Sequence, residues 1–180
     1  MQNQTTKTNW YVITGPPSSG KTTTVNLLKD RGYKTTIEHA RHFIDTQKIT
    51  GKTIEEIRKN QFAFQRAVLD MQIAEEQTLP PGEIIFLDRA IPDALAYYRF
   101  LGLPEDAKIL EAMRGVSYKK IFILDPLPLV NDSVRTEDEA AQKSIHNLLV
   151  EVYKALKYPV IHVPVMPPNE RVEFILKNLS

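Results

Sequence analysis

Eight consecutive residues near the amino end of the chain fit a phosphate-binding pattern. In this pattern a glycine, four residues and a second glycine precede lysine and then serine or threonine. The eight are Gly15, Pro16, Pro17, Ser18, Ser19, Gly20, Lys21 and Thr22. The glycines let backbone N–H groups turn inward around phosphates, while Lys21 brings positive charge and the Thr22 hydroxyl is placed to ligate Mg²⁺. The stretch, with Thr23 after it, predicts a binding site for a nucleoside triphosphate and Mg²⁺.

The residues on either side of this loop support the same interpretation. Tyr11 to Thr14 form a short β-rich run before the loop, and Val25, Leu27 and Leu28 recur at helical spacing after it. The alternative is a glycine turn that binds nothing. It is disfavoured because a lysine at a helix N-terminus interacts unfavourably with the helix dipole unless an anion is bound.

A second motif is the apolar run 84–87, which ends in Asp88. A carboxylate in this position holds Mg²⁺ or its water in phosphate-loop ATPases, although aspartate also favours the turn that follows a buried strand. Arg89 comes next, at the strand end where open α/β sheets bind ligands. We predict that Asp88 is a catalytic metal ligand and that Arg89 contacts the substrate. A salt bridge from Arg89 to Asp93 is the alternative.

Glu38 ends another predicted strand, and Arg41 follows it by about one helical turn. Beside a γ-phosphate, the Glu38 carboxylate is placed to accept a proton from an acceptor hydroxyl or from water, as a general base does. We assign Glu38 to catalysis and, with Arg41, to substrate binding; a local ion pair between the two explains them equally well. His39 and His42 are predicted to be surface residues, because no further ligand set with zinc-like spacing accompanies them.

Residues 126–138 form a loop-like stretch long enough to be a lid over the site. Within it, Arg135 stands just before a predicted helix, where a positive charge is unfavourable without a partner. We predict that Arg135 is catalytic and reaches the transferred phosphoryl group. A bridge from Arg135 to Glu137 or Asp138 is the alternative.

A long helix predicted over residues 53–78 supplies a possible wall for an acceptor pocket. Its candidate lining residues are Phe62, Phe64, Gln65, Arg66 and Gln72. The two phenylalanines are also explained as core residues.

Five apolar, strand-like runs alternate with helical patterns along the chain. They are 10–14, 34–38, 84–88, 120–125 and 160–163. Strands that alternate with helices predict an α/β fold, with a parallel sheet covered on both faces. Thr53 with Glu56, and Thr136 with Glu139, form capping boxes that predict the starts of two helices.

The composition is typical of one globular domain spanning residues 1–180. The chain has 23 basic and 22 acidic residues and a net charge of +1, which gives no support for nucleic acid or acidic membranes as partners. The absence of cysteine excludes disulfides and thiolate metal sites. No run reaches the ~18 apolar residues of a membrane span, so we expect a cytoplasmic protein. The oligomeric state stays open.

Together, these residues resemble the NadR-like AAA-domain family, kinase-like P-loop ATPases that include ribosylnicotinamide kinase domains. The resemblance spans nearly the whole chain and rests on the segments 15–22, 38–41, 88–97, 135–138 and 160–164. It implies a three-layer P-loop NTPase fold with a five-stranded parallel sheet in the order 2-3-1-4-5, and ATP as the nucleotide. By analogy with deoxynucleoside kinases, it also implies that Glu38 and Arg89 face an acceptor.

The favoured function is a Mg²⁺- and ATP-dependent phosphotransferase that acts on a small nucleoside-like or ribosyl-like acceptor. The alternative is a nucleotide-dependent regulatory switch with slow hydrolysis and a protein or lipid partner, because some relatives resemble regulators. Such a switch would expose an apolar patch near Leu127 and Leu129. Ras-like GTPases are disfavoured because no Asn-Lys-x-Asp motif lies between Lys120 and Val163. The choice between ATP and GTP is not settled by the loop alone.

Overall fold

Strands and helices alternate along the chain. The computed structural model describes residues 5–128 and 138–180. The strands are β1 (Thr6–Lys7), β2 (Trp10–Thr14), β3 (Lys34–Thr35), β4 (Ile85–Asp88), β5 (Val116–Ser117), β6 (Lys120–Leu124) and β7 (Val160–Val163). The helices are α1 (Lys21–Asp30), α2 (His39–Ile49), α3 (Ile54–Arg58), α4 (Gln61–Thr78), α5 (Ile91–Phe100), α6 (Ala107–Gly115), α7 (Glu139–Ala155) and α8 (Pro168–Lys177). Over these two ranges, no helix combines the length and the apolar character needed to cross a bilayer.

Five parallel strands form the main sheet in the order β3-β4-β2-β6-β7. Counted along this sheet alone, the order is 2-3-1-4-5, so the predicted kinase-like topology is confirmed. Ile13 of the central strand β2 pairs with Asp88 on one side and Phe122 on the other. The phosphate loop, which follows β2, therefore emerges between the ends of β4 and β6. The short pair β1–β5 was not predicted.

Helices cover both faces of this sheet. All five residues of β2 are buried, and alternate side chains point to opposite faces. Val12 packs in a cluster with side chains of α5 and α7, whereas Ile13 packs with side chains of α1 and α8. The predicted three-layer arrangement is confirmed, and it leaves the carboxyl ends of the strands as the edge where ligands bind.

The strand predicted to end at Glu38 is shorter than expected. β3 ends at Thr35, after which Thr36 N makes one more hydrogen bond, to Phe86 O at 3.1 Å. Glu38 is instead the N-cap residue of α2. Its negative charge lies at the positive end of a helix, which is a favourable position.

The helix predicted over residues 53–78 is two helices, α3 and α4. The first capping box is confirmed, since Glu56 N donates to Thr53 Oγ1 at 3.2 Å and Thr53 N donates to Glu56 Oε2 at 2.8 Å. Asn60 then caps α4 by accepting a hydrogen bond from Ala63 N at 3.0 Å. The break arises because an asparagine amide competes with the helical backbone for its hydrogen bonds.

Helix α7 begins at a different cap from the one predicted. Asp138, not Thr136, is the N-cap residue, and its Oδ1 accepts from Ala141 N at 2.8 Å. Glu139 is consequently the first residue of the helix instead of a capping-box partner. Arg135 and most of the predicted lid lie outside the described residues.

Candidate active site

The phosphate loop follows a path that requires glycine at two places. Gly20 has a φ of 80°, in the left-handed region, and Ser18 has a φ of 56°. A Cβ on Gly15 would lie 2.7 Å from Ser19 Oγ, which is too close, and 3.0 Å from Leu124 O, which is tight. Gly20 is also the N-cap residue of α1 and has no side chain to satisfy the N–H groups of the first turn. These N–H groups are suited to bind phosphate.

Lys21 lies at the centre of the site, and only 5% of the residue is exposed. Its ammonium is hydrogen-bonded to the Asp88 carboxylate and lies 3.5 Å from Glu38 Oε2. Three side chains that were singled out separately are thus brought together. A triphosphate would compete with both carboxylates for the same cation, because phosphate oxygens are strong acceptors for ammonium groups.

Lys21, Thr22 and Glu38 line the cleft, whereas Asp88 contacts Lys21 without lining it. Burial raises the pKa of the Asp88 carboxyl, against the opposing charge of Lys21. Thr22 and Thr23 are exposed in the first turn of α1. A hydroxyl and a carboxylate are the kind of hard oxygen donor that Mg²⁺ prefers, so the chemistry of Thr22 and Asp88 is compatible with the predicted Mg²⁺ site.

Glu38 faces three cations. Besides Lys21, its carboxylate lies 3.9 Å from Arg89 Nε and 4.0 Å from Arg41 Nε. The charge of Lys21, helped by Arg89 and Arg41, lowers the pKa of Glu38 from 4.5 to about 2 despite burial. The ion pair with Arg41 that was the alternative explanation is therefore present as the longest of the three contacts. Glu38 still lines the cleft, as an ionised carboxylate.

Arg89 is held by its backbone and by its side chain. Its φ of 68° is uncommon for a residue other than glycine. Nη1 donates to Gly15 O at 3.1 Å and to Asp93 Oδ1 at 3.4 Å, and the guanidinium lies 5.2 Å from the centre of the Tyr97 ring. The salt bridge to Asp93 and the position in the crevice, which were alternatives, occur together. Arg89 is fixed between the phosphate loop and Glu38.

Asp93 is a buried carboxylate that fixes this part of the site to the core. Its carboxylate accepts hydrogen bonds from the hydroxyls of Thr14 and Tyr153 and from Ala90 N at 3.1 Å. The side chain thereby ties the start of α5 to the end of β2 and to α7. Because Asp93 is 3% exposed, its negative charge is held by these donors and by Arg89.

A cleft extends from the phosphate loop towards α4 and α5. From the helix predicted to wall an acceptor pocket, three of the named residues line it: Phe64, Gln65 and Gln72. Phe62 does not line it and is 40% exposed. Arg66 points elsewhere, with Nη1 2.6 Å from Asp106 Oδ2. The same helix also contributes Gln61, Val68 and Leu69, so the predicted acceptor wall has both apolar and amide side chains.

The prediction that both histidines of the 38–42 segment are surface residues is wrong for His39. His42 is exposed, but His39 is only 5% exposed and its Nε2 lies 2.8 Å from Glu75 Oε2. The reason is that α2 packs against α4, which carries Glu75. His39 fixes α2, and therefore Glu38, to the core.

Arg171 was not predicted as a site residue, yet it braces the phosphate loop. It lies on α8, is 2% exposed and donates to the backbone carbonyls of Ser19, Pro164 and Asp125. Gln142 of α7 does the same from the other side, since its Nε2 donates to Pro17 O at 2.8 Å. Two of the loop's carbonyls are thereby held outward, which leaves its N–H groups for a ligand.

Replacing Arg171 with alanine is expected to destabilise the protein by about 2 kcal/mol or more, because buried carbonyls lose their donor. Affinity for a nucleoside triphosphate is expected to fall as well, since Ser19 is no longer held. Urea unfolding and ATP titration measure the two effects. Lys177→Ala, an exposed change on the same helix, is the control. Unchanged stability in Arg171→Ala would contradict the bracing role.

Glu76 is a buried carboxyl group beneath the cleft. It is 5% exposed and accepts hydrogen bonds from Tyr118 Oη at 2.7 Å, Gln72 Nε2 at 2.8 Å and Ile91 N at 3.2 Å. Burial raises the pKa of Glu76 from 4.5 to about 7. The folded protein therefore binds the Glu76 proton more tightly than the unfolded chain does. This contribution to stability is complete below pH 4.5 and is lost as the pH rises towards 7.

Glu76→Gln is accordingly expected to stabilise the protein by up to about 3 kcal/mol at pH 8, since a neutral amide avoids the buried charge. The gain should shrink as the pH falls below about 7 and should be absent near pH 4.5. Denaturant unfolding at several pH values measures it. Glu111→Gln, an exposed change on α6, is the matched control. A gain that does not depend on pH would rule out ionisation of Glu76 as its cause.

Comparison with known proteins places the chain among P-loop proteins. A family model described as an AAA domain matches residues 10–171. The search of curated proteins finds no match.

Solved structures of three kinds share the fold. A NadR protein in complex with NR has a TM-score of 0.71 and 16% sequence identity over 96% of this chain and 50% of its own, so the chain spans about half the length of that protein. Deoxyadenosine kinase from M. mycoides has a TM-score of 0.64 and 15% identity over 94% of this chain and 97% of its own. Thymidylate kinase from Ehrlichia chaffeensis has a TM-score of 0.64 and 13% identity over 98% of this chain and 99% of its own.

Proposed function

The chain belongs to the AAA domain family of P-loop proteins, and on this premise we propose that it is a phosphotransferase. It would move the γ-phosphoryl group of ATP, with Mg²⁺, to a hydroxyl of a small nucleoside-like or ribosyl-like acceptor. The observation that carries the proposal is the position of the Glu38 carboxylate, which lies between Lys21 of the phosphate loop and Arg89 and lines the cleft that continues towards α4 and α5. A hydrolase would not need this part of the cleft, because its acceptor is water.

The lining of the cleft towards α4 and α5 supports a small, partly polar acceptor. Phe64 offers an aromatic face, while Gln65 and Gln72 offer amide donors and acceptors. The matched NadR structure contains NR, and the matched deoxyadenosine kinase contains the products dCMP and dCDP. Both ligands support a nucleoside-like or ribosyl-like acceptor for this chain.

In the proposed reaction, the acceptor oxygen forms a bond to the γ-phosphorus while its proton passes to the Glu38 carboxylate. The bond from the γ-phosphorus to the β,γ-bridging oxygen breaks, and ADP leaves. Lys21 neutralises charge on the phosphates, and Arg89 orients the acceptor beside Glu38. Mg²⁺, held by Thr22 and Asp88, would supply further neutralisation of the phosphate oxygens.

The charge on Lys21 links nucleotide binding to the basicity of Glu38. In the ligand-free site Lys21 is the largest cause of the low pKa of Glu38, which makes the carboxylate a weak base. A bound triphosphate neutralises Lys21 and so removes much of this effect. Glu38 is therefore expected to become a stronger base once the nucleotide is in place. Arg135, outside the described residues, keeps its proposed role of neutralising charge in the transition state.

The proposal is tested by measuring ADP release from Mg²⁺–ATP, with and without a panel of nucleosides, nucleotides and ribosyl-nicotinamide compounds. We expect one class of acceptor to stimulate release and to appear as a phosphorylated product. Lys21→Ala serves as the blank. Slow release that no acceptor stimulates would overturn the proposal in favour of a regulatory switch. Of the two residues that such a switch was expected to expose, Leu127 is half-buried and Leu129 lies outside the described residues.

A further inference from the structure

Three potential metal ligands converge at the edge of the sheet, and none of them lines the cleft. Asp125 directly follows β6, His162 lies in the edge strand β7, and His146 lies in α7. Ile123 pairs with His162 across the two strands, so Asp125, two residues later, points to the same face as both. Helix α7 covers this face and brings His146 to it. The register of the sheet thus places the three side chains together.

The donor atoms are close enough for one ion. One ligand atom from each side chain lies within 4.8 Å of the other two, and His162 Nδ1 is 3.9 Å from Asp125 Oδ1. Around a tetrahedral Zn²⁺ with bonds of about 2.0–2.2 Å, ligand atoms are separated by about 3.3–3.6 Å. The difference is within reach of small rotations about the side-chain torsions, because each ligand comes from a separate element that already faces the centre.

One ring nitrogen of His146 lacks a hydrogen-bond partner in the described part of the chain. Its Nδ1 is buried and has no hydrogen-bond partner among residues 5–128 and 138–180. The two imidazole rings stand side by side, with centres 6.1 Å apart and Asp125 beside them. A buried polar atom without a partner is costly, and coordination of a cation by the nitrogen lone pair would remove that cost.

We propose that Asp125, His146 and His162 bind one Zn²⁺ ion, with a fourth position left for water or another small ligand. Two imidazole nitrogens and one carboxylate are a donor set typical of zinc. Mg²⁺ prefers oxygen donors alone, so this site is chemically distinct from the Mg²⁺ site proposed at Thr22 and Asp88. The proposal does not depend on the phosphotransferase proposal.

The site is also connected to the phosphate loop through the hydrogen bonds of Arg171. The backbone carbonyl of Asp125 accepts from Arg171 Nη2 at 3.1 Å, and the same guanidinium donates to Ser19 O. An ion on the Asp125 carboxylate would fix the residue that Arg171 uses to brace the loop. Zn²⁺ therefore acts as a clamp that joins β6, β7 and α7 next to the nucleotide site.

The test uses the full chain without a histidine tag, in buffer free of nucleotide and chelator. Isothermal titration with ZnCl₂ is expected to show one equivalent bound, and CoCl₂ is expected to give the visible absorption of a tetrahedral site. MgCl₂ should not compete. Zn²⁺ should also raise the midpoint of thermal unfolding, because it binds the folded chain.

Variants decide whether these three residues form the site. His162→Ala, an exposed change that the fold should tolerate, and His146→Ala are each expected to weaken Zn²⁺ binding by at least about 10-fold. His42→Ala, an exposed histidine on α2, is the matched control and should bind as the wild type does. The proposal is overturned if binding is less than stoichiometric, or if His162→Ala and the wild type bind Zn²⁺ equally well.

Discussion

Lys21→Ala is expected to abolish triphosphate binding and to lower turnover by at least about 10²–10³-fold. The loss has two physical causes. The variant lacks the cation that neutralises the outer phosphates, and it also leaves the carboxylates of Asp88 and Glu38 without the ammonium that lies between them. Phosphate oxygens would then meet two carboxyl groups instead of a lysine. Isothermal titration with Mg²⁺–ATP and the rate of ADP release measure the effect.

Lys29→Ala is the matched control for this variant, because Lys29 is an exposed lysine on the same helix. It should bind ATP as the wild type does. Circular dichroism should show that Lys21→Ala is folded. Since Lys21 is the largest cause of the low pKa of Glu38, the variant should take up protons at higher pH than the wild type in a potentiometric titration. Turnover in Lys21→Ala equal to that of the wild type would contradict the assignment of this loop as the triphosphate site.

Much of the fold could be predicted because its signals are local. The phosphate loop occupies eight adjacent positions, and four of the five strands of the main sheet are short apolar runs, β3 being the exception. The family resemblance and the strand order rest on these segments, and both are confirmed. Asp88 was placed correctly at a strand end for the same reason. Glu38 was predicted to end a strand, whereas it lies three residues beyond the end of β3.

Long-range partners could not be predicted in this way. Arg171 bonds to Ser19, 152 positions earlier, and nothing in the local pattern indicates that distance. The one available signal was an arginine four residues before Ile175 on the buried face of α8, where a cation needs acceptors. Glu76 gave a similar signal, four residues after the buried Gln72. A charged residue on an apolar helix face indicates a specific partner without naming it.

Glu38→Gln is expected to keep ATP binding close to that of the wild type while lowering phosphoryl transfer by about 10²–10⁴-fold. Glutamine retains the shape and one acceptor oxygen, but it cannot take the proton of the acceptor hydroxyl. Lys21 keeps its stronger partner, Asp88, so the phosphate loop should stay intact. Single-turnover transfer to the identified acceptor measures the chemical step, and ATP titration measures binding.

Asp45→Asn, an exposed carboxylate on α2, is the matched control. The pH profile gives an independent check on the role of Glu38. With a pKa of about 2 in the nucleotide-free site, Glu38 is ionised throughout the working range. The pH profile of kcat/KM for ATP should therefore show no acid limb from this group above about pH 5. Because the bound triphosphate neutralises Lys21, an acid limb should appear in kcat instead. A fall of less than about threefold in transfer by Glu38→Gln would reduce Glu38 to an ion-pair partner of Lys21, Arg41 and Arg89.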